Sequence, residues 1–317
     1  MSTPPIPSSP ILFHAPKLSQ DLWLTALRDA LSPRSVVTWE AVEDPVAIDT
    51  LISAREVAEV LPHLPNLRTL VNLTAGIDYL VPLEIPESVA VHRLIDAGMG
   101  AQMAEYALHW AIHFQRDFDR YSATTRAGVW TRLTYRPPGD LHCGVLGLGV
   151  LGTQVAERLR DAGFSVSGWS RSPRIVSGVQ CLSGAESLER FLSETEILVN
   201  LLPGTAETRG ILNGARLDGL PKGAVVINLG RGSTLLLDDL LNRLDAGHLR
   251  AAVLDVTDPE PPPSGHPVWT HPRVFLTPHV SAQTQIGPAV AVVAEIIAAK
   301  ERGEEGVGRV SDLTRGY

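Results

Sequence analysis

The chain has 317 residues, room for two domains of ordinary size, and its 44% hydrophobic and 20% charged residues are those of a globular protein, neither disordered nor fibrous. A formal charge of -8 and a pI near 5.7 provide no basic stripe for phosphates, so no nucleic-acid partner is expected. Two cysteines, Cys143 and Cys181, stand far apart with no CxxC or His-rich tract near them, which argues against a disulfide framework or zinc site and suits a reduced, cytoplasmic setting.

In chain order, the opening "MSTPPIPSSP" has no basic residue and no apolar core, and reads as a Pro/Ser tail and not a signal peptide. "PILFH", "LRTLVNLT" and "VAVHRL" read as strands, with "SQDLWLTALRDAL" as a helix among them and Ser19 as its N-cap. From 101 to 121, apolar residues at helical spacing (Met103, Tyr106, Ala107, Trp110, Phe114) predict one long amphipathic helix. After "RPPGD" a second series begins: "HCGVLGLG", "SVSGWS", "TEILVNLLP", "GAVVINLGRG", "RAAVLDV" and "RVFLTPHV". Such β-rich runs separated by helix-length segments predict parallel βαβ units and a doubly wound sheet. "GPAVAVVAEIIAAK" is too short to span a bilayer and carries Glu295, so it reads as a core helix and no membrane partner is expected.

"GLGVLG" places Gly147, Gly149 and Gly152 in GxGxxG spacing between an apolar run and a helical one. Glycines there permit a tight turn and close backbone approach to a pyrophosphate, with helix N–H groups aimed at its charge. In the NAD form of such a site the second strand ends in an acid that accepts from the ribose 2′-hydroxyl. Here "GWSRSP" delivers Ser170, Arg171 and Ser172 instead. A carboxylate would repel a 2′-phosphate, whereas a guanidinium flanked by hydroxyls offers it charge-assisted donors, so NADP is the expected cofactor.

Ligands of an open α/β sheet lie beyond the carboxyl ends of its strands. Three expected strand ends there lead to Arg231 in "INLGRG", Glu260 in "LDVTDPEPPP" and His279 in "TPHVSA". The set suits hydride transfer to a carbonyl: Arg231 to clamp a carboxylate and polarise the adjacent keto oxygen, His279 to donate the proton, Glu260 to orient and favour the imidazolium. His271, before Pro272, is the nearest competitor among the other histidines.

In order and spacing, "GLGVLG", "LLPGTAETRGIL", "INLGRG", "LDVTDPEPPP" and "TPHVSA" resemble the D-2-hydroxyacid dehydrogenase family over almost the whole chain. Within it, "DAGMGAQMAEYAL", "GWSRS" and the ending "DLTRGY" look most like the glyoxylate/hydroxypyruvate reductase A branch, which prefers NADPH. The resemblance implies an α/β fold of two Rossmann-like parallel-sheet domains: a flavodoxin-like substrate domain (1–100 and 283–317) and, inserted in it, a doubly wound cofactor domain (101–282). It implies Arg231, Glu260 and His279 as the catalytic set, with backbone N–H groups of Ala75 and Gly76 joining Arg231 and His279 on the substrate. Cofactor contacts are implied for Gly147, Leu148, Gly149, Val150, Leu151 and Gly152, and for Ser170, Arg171 and Ser172. Further ones are implied for Leu202, Pro203, Thr208, Leu229, Gly230 and Ala282, with Asp255 near the nicotinamide amide. Gly230 stands where the family more often has alanine, a change expected to matter little. The expected activity is NADPH-dependent reduction of small 2-keto acids such as glyoxylate or hydroxypyruvate by a cytoplasmic homodimer. Two alternatives stay open: a reductase of larger 2-keto acids such as phenylpyruvate, and a nucleotide-sensing binding protein like the C-terminal-binding-protein corepressors, which share the fold.

Overall fold

The computed structural model describes residues 9–313; the Pro/Ser tail through Ser8 and the end of "DLTRGY" from Thr314 lie outside the described residues. The chain divides into two compact units, one reaching Gly98 and resuming at Thr284, the other Met99–Gln283.

The first unit runs β1 (Ile11–His14), α1 (Gln20–Leu31), β2 (Val36–Val37), β3 (Thr50–Ser53), α2 (Val57–Val60), β4 (Thr69–Asn72) and β5 (Ala90–Arg93). All its strands pair in parallel in the order β2-β1-β3-β4-β5, the flavodoxin-like arrangement. β1, β3 and β4 are buried at every position, as strands covered on both faces must be. Leu12, Leu51, Leu70 and Val91 pack with Val57 and Val60 of α2 in one core. β2 and β3 were not expected: the first has two residues, and the second, "TLIS", begins and ends on a hydroxyl side chain. Ser19 does sit at the N-cap of α1, but it caps through its backbone carbonyl, which accepts from Leu22 and Trp23, and not through its hydroxyl.

The second unit runs α3 (Met99–Gln115), α4 (Phe118–Arg126), β6 (His142–Leu146), α5 (Val150–Asp161), β7 (Ser165–Ser170), β8 (Gln180–Ser183), α6 (Ala185–Glu194) and β9 (Ile197–Asn200). It continues with α7 (Gly214–Asp218), β10 (Val225–Asn228), α8 (Leu237–Asp245), β11 (Ala251–Leu254) and β12 (Val274–Leu276). The sheet is seven-stranded and parallel, β12-β11-β10-β9-β6-β7-β8, with its topological switch between β6 and β9. Strand alternation sorts its core: Cys143, Val145, Val199 and Ile227 face α3 and α5, while Leu146, Leu198 and Val226 face α6, α7 and α8. Six strands were expected; β8, the short edge strand "QCLS", is the addition.

The single helix expected over 101–121 is two. Asp117 adopts a left-handed conformation (φ 54°) that ends α3 and caps α4. The Arg250 guanidinium holds this break, donating to the Phe114 carbonyl at 3.1 Å, to Asp117 at 2.7 Å and to both Asp119 oxygens. The last helix, α9 (Ile286–Glu301), belongs to the first unit and packs on α1 with Val293, Ile296 and Ile297 buried. Among the described residues no helix is long and apolar enough to cross a membrane.

Candidate active site

β6 ends in the glycine loop. Gly147 takes φ +113°, and Gly152 lies so near it that a Cβ would fall 1.8 Å from the Gly147 carbonyl oxygen. Only glycine serves at either position. A Cβ on Gly149, the residue before α5, would meet nothing within 4 Å, so the approach to the helix N-terminus is open there. That is the cradle a pyrophosphate needs, and the residues fit a dinucleotide. Leu148 is buried and turned away, its side chain filling the space over Gly168 of β7; Val150 is exposed and Leu151 half-buried.

β7 delivers Ser170, Arg171 and Ser172 to the adjacent strand end. Ser170 is buried, and its hydroxyl donates to the Ser172 carbonyl at 2.8 Å, so it closes the turn instead of facing outward. Arg171 and Ser172 are exposed on that turn.

Past β9, Leu202 is buried, and the Thr208 hydroxyl donates back to the Pro203 carbonyl, folding 203–208 into a closed turn. Past β10, Leu229 and Gly230 are buried and Arg231 is half-buried, one of its guanidinium nitrogens donating to the Gly230 carbonyl at 3.0 Å. A Cβ on Gly230 would sit 2.5 Å from the Leu202 carbonyl oxygen and 2.9 Å from Leu201 C, closer than real contacts allow. Glycine in place of alanine therefore does matter: it lets the two loops touch main chain to main chain. Gly232 is as tight, a Cβ there falling 1.9 Å from the Thr257 carbonyl carbon, which seats the Arg231 loop on the loop that carries Glu260.

The structure brings Glu260 and His279 together: Glu260 Oε1 lies 2.7 Å from His279 Nδ1. Both are partly exposed and reachable, at 39% and 29% of their side chains. His279 is one of the non-glycine residues with positive φ (54°), held there by its N–H donating to the Asp255 and Thr277 carbonyls. Asp255, 1% exposed, accepts from the Thr277 hydroxyl and the Val280 N–H on one oxygen and from the Ser281 N–H on the other. The Tyr106 hydroxyl is 2.6 Å from that of Thr277. Expected beside the nicotinamide amide, Asp255 turns both carboxylate oxygens to the 277–281 loop and clamps the histidine's backbone; Ala282 follows, half-buried. A cavity of about 540 Å³ opens beside the pair, lined by Glu260, Pro261, Trp269, Leu276, Thr277 and His279. His271 is a structural histidine, its ring set 3.2 Å from Asp245 and accepting from the Arg273 N–H.

In the first unit, Ala75 and Gly76 lie on the loop after β4. The Asn72 amide donates to the Thr74 and Gly76 carbonyls, Arg93 donates to the Ala75 carbonyl at 3.2 Å, and the Tyr79 hydroxyl reaches Asn72. Burial pushes the Tyr79 phenol well above its ordinary range, so it stays protonated as a donor. Asn72, Asn200, Asn228, Tyr79 and Arg93 were not expected as site residues. A signal was present, though: "VNL", "VNL" and "INL" each close a strand on a polar amide where a continuous apolar run would be usual.

Residues 108–281 match the family described as D-isomer specific 2-hydroxyacid dehydrogenase, NAD binding domain. A Salmonella paratyphi B protein named glyoxylate/hydroxypyruvate reductase A is 40% identical over 313 residues, covering 97% of this chain and 99% of that one. Among solved structures, a D-isomer specific 2-hydroxyacid dehydrogenase from Xanthobacter autotrophicus Py2 in complex with NADPH and MES aligns with a TM-score of 0.93 at 35% identity, covering 98% of this chain and all of that one. An NADPH-dependent glyoxylate/hydroxypyruvate reductase from Sinorhizobium meliloti, in complex with NADP and sulfate, aligns at 0.88 and 31% identity, with 98% of this chain covered and 100% of its own. The two parallel sheets share the fold of these solved structures, and on the match over 108–281 and the 40% identity the chain belongs to the D-isomer-specific 2-hydroxyacid dehydrogenase family.

Proposed function

We propose that the protein reduces small 2-keto acids, glyoxylate or hydroxypyruvate, to 2-hydroxy acids with NADPH. The observation that carries this reading is the 2.7 Å contact between Glu260 and His279 Nδ1. With Nδ1–H donating to the carboxylate, Nε2–H is the proton left to give. His279 donates it to the keto oxygen as the carbonyl carbon is reduced, and Glu260 keeps the ring from rotating. Arg231 binds the substrate carboxylate and polarises the neighbouring carbonyl. Bound in its reduced form, the nicotinamide supplies the hydride to that carbon.

Support for NADPH comes from the relatives described with it and from Arg171 where an acid would select NAD. The proposed contacts are Gly147, Gly149, Val150, Leu151 and Gly152 with the pyrophosphate, Arg171 and Ser172 with the 2′-phosphate, and Leu202, Pro203, Thr208, Leu229, Gly230 and Ala282 lining the rest. A cytoplasmic homodimer is part of the same proposal.

Loss of NADPH and NADH absorbance with glyoxylate, hydroxypyruvate, pyruvate and phenylpyruvate tests it. Turnover is expected to be fastest with glyoxylate and hydroxypyruvate. His279→Ala is expected to bind NADPH normally and lose about 10²- to 10⁴-fold in kcat. No turnover with any acid rejects the enzyme reading, and a preference for phenylpyruvate rejects the small substrate.

A further inference from the structure

Between the glycine-loop side of the sheet and Arg231 lies a polar cluster. Asn200 ends β9, Asn228 ends β10, and Thr234 sits in the short turn after Arg231; all three are 0% exposed. The Asn200 amide donates to Asn228 Oδ1 at 2.9 Å and to the Thr234 hydroxyl oxygen at 2.7 Å. Its own oxygen accepts from the Leu202 N–H at 3.2 Å. The Thr234 hydroxyl donates to the Arg231 carbonyl at 2.7 Å, and the Asn228 amide donates to the same carbonyl at 3.3 Å.

Burying two amides and a hydroxyl costs free energy unless each is paired, and an apolar set would fill the space as well. What the polar set achieves is directional. It ends on three main-chain atoms, the Arg231 carbonyl and the Leu202 and Gly230 N–H groups, and joins them through one continuous chain of hydrogen bonds. A guanidinium that clamps a carboxylate bidentately tolerates little angular error, and Arg231 leaves the sheet only three residues after β10, with its backbone fixed at that carbonyl. The same device recurs in the first unit, where Asn72 at the end of β4 grips the Thr74 and Gly76 carbonyls. We propose that Asn200, Asn228 and Thr234 are positioning residues that set the Arg231 main chain for substrate-carboxylate binding and register it against the Leu202 loop. This rests on the reading of Arg231 as the carboxylate clamp.

Thr234 gives the cleanest test, because Thr234→Val removes the hydroxyl at nearly constant shape and Thr234→Ser keeps it. Oxalate, a dicarboxylate that needs no turnover, is the probe, titrated by tryptophan fluorescence into the protein saturated with NADP, beside kcat, KM, the NADPH Kd and Tm. Thr234→Val is expected to weaken oxalate binding and raise the glyoxylate KM by about 10-fold, with the NADPH Kd within about 2-fold of wild type. Thr234→Ser is expected to restore oxalate affinity even where its Tm stays low. A merely structural threonine would move Tm in both variants and oxalate affinity in neither, and that result overturns the inference. Should the valine variant be insoluble, Thr234→Ala against Thr234→Ser makes the same comparison. A wild type that neither binds oxalate nor reduces any 2-keto acid overturns the reductase reading itself, whereas an active wild type with equal variants overturns the positioning role alone.

Discussion

Arg171 is exposed on a turn that Ser170 closes through the Ser172 carbonyl. Exchanging its side chain is expected to change the ligand preference. Arg171→Asp is expected to raise the KM for NADPH by about 10- to 100-fold and to leave that for NADH nearly unchanged, the size of a lost charge-assisted contact plus a repulsion. Steady-state KM values for both cofactors check this, and an unaltered NADPH KM would move the selector elsewhere. The meeting of Glu260 with His279 was legible in the sequence, because both follow expected strands of one sheet and their types suit each other. The bonds that Ser170 and Asp255 make within the chain were not, since only the folded turns show the hydroxyl donating to the Ser172 carbonyl and the carboxylate accepting from the 277–281 loop. Such assignments depend on where backbone N–H groups arrive from residues distant in sequence.

The strands longest in apolar residues were legible as elements, and so was the glycine loop with its flanks. β2, β3 and β8 were not, because two to four residues carry too little periodicity and β3 and β8 have polar ends. The division of α3 from α4 escaped for a different reason: the helical pattern continues through Asp117, and what breaks the helix is Arg250, far along the chain. Its guanidinium binds Asp119 through two nitrogens and Asp117 through one, at side-chain exposures near 17%. Arg250→Ala leaves two carboxylates without that partner and is expected to destabilise by about 2 kcal/mol, with a matching fall in Tm. Arg250→Lys is expected to recover little of it, since an ammonium cannot reproduce the fork. Equal Tm for wild type and both variants would show the break is set by the helices themselves.

At the scale of the molecule, each unit holds a buried or half-buried histidine that the mechanism does not use. Burial holds His92 in the first unit, and His113 and His142 in the second, below the ordinary histidine range. The unfolded chain takes up protons at these sites near pH 6.5, the folded chain only at lower pH, so over that interval the unfolded state binds more. Stability is thus complete above about pH 7 and declines as the pH falls toward 5. Calorimetric Tm values are expected to fall over that range, and His92→Gln to flatten part of the slope; a Tm constant from pH 7 to 5 would contradict the assignment. The two-sheet architecture itself was legible from the alternation of apolar runs and helical segments, because parallel strands covered on both faces need nearly unbroken hydrophobic sequence.

The close seat of Gly230 against the Leu201–Leu202 main chain makes the two loops a single mechanical unit. A methyl added at position 230 requires that main chain to withdraw first, so a change made in one loop is felt in the other and neither can be redesigned by itself.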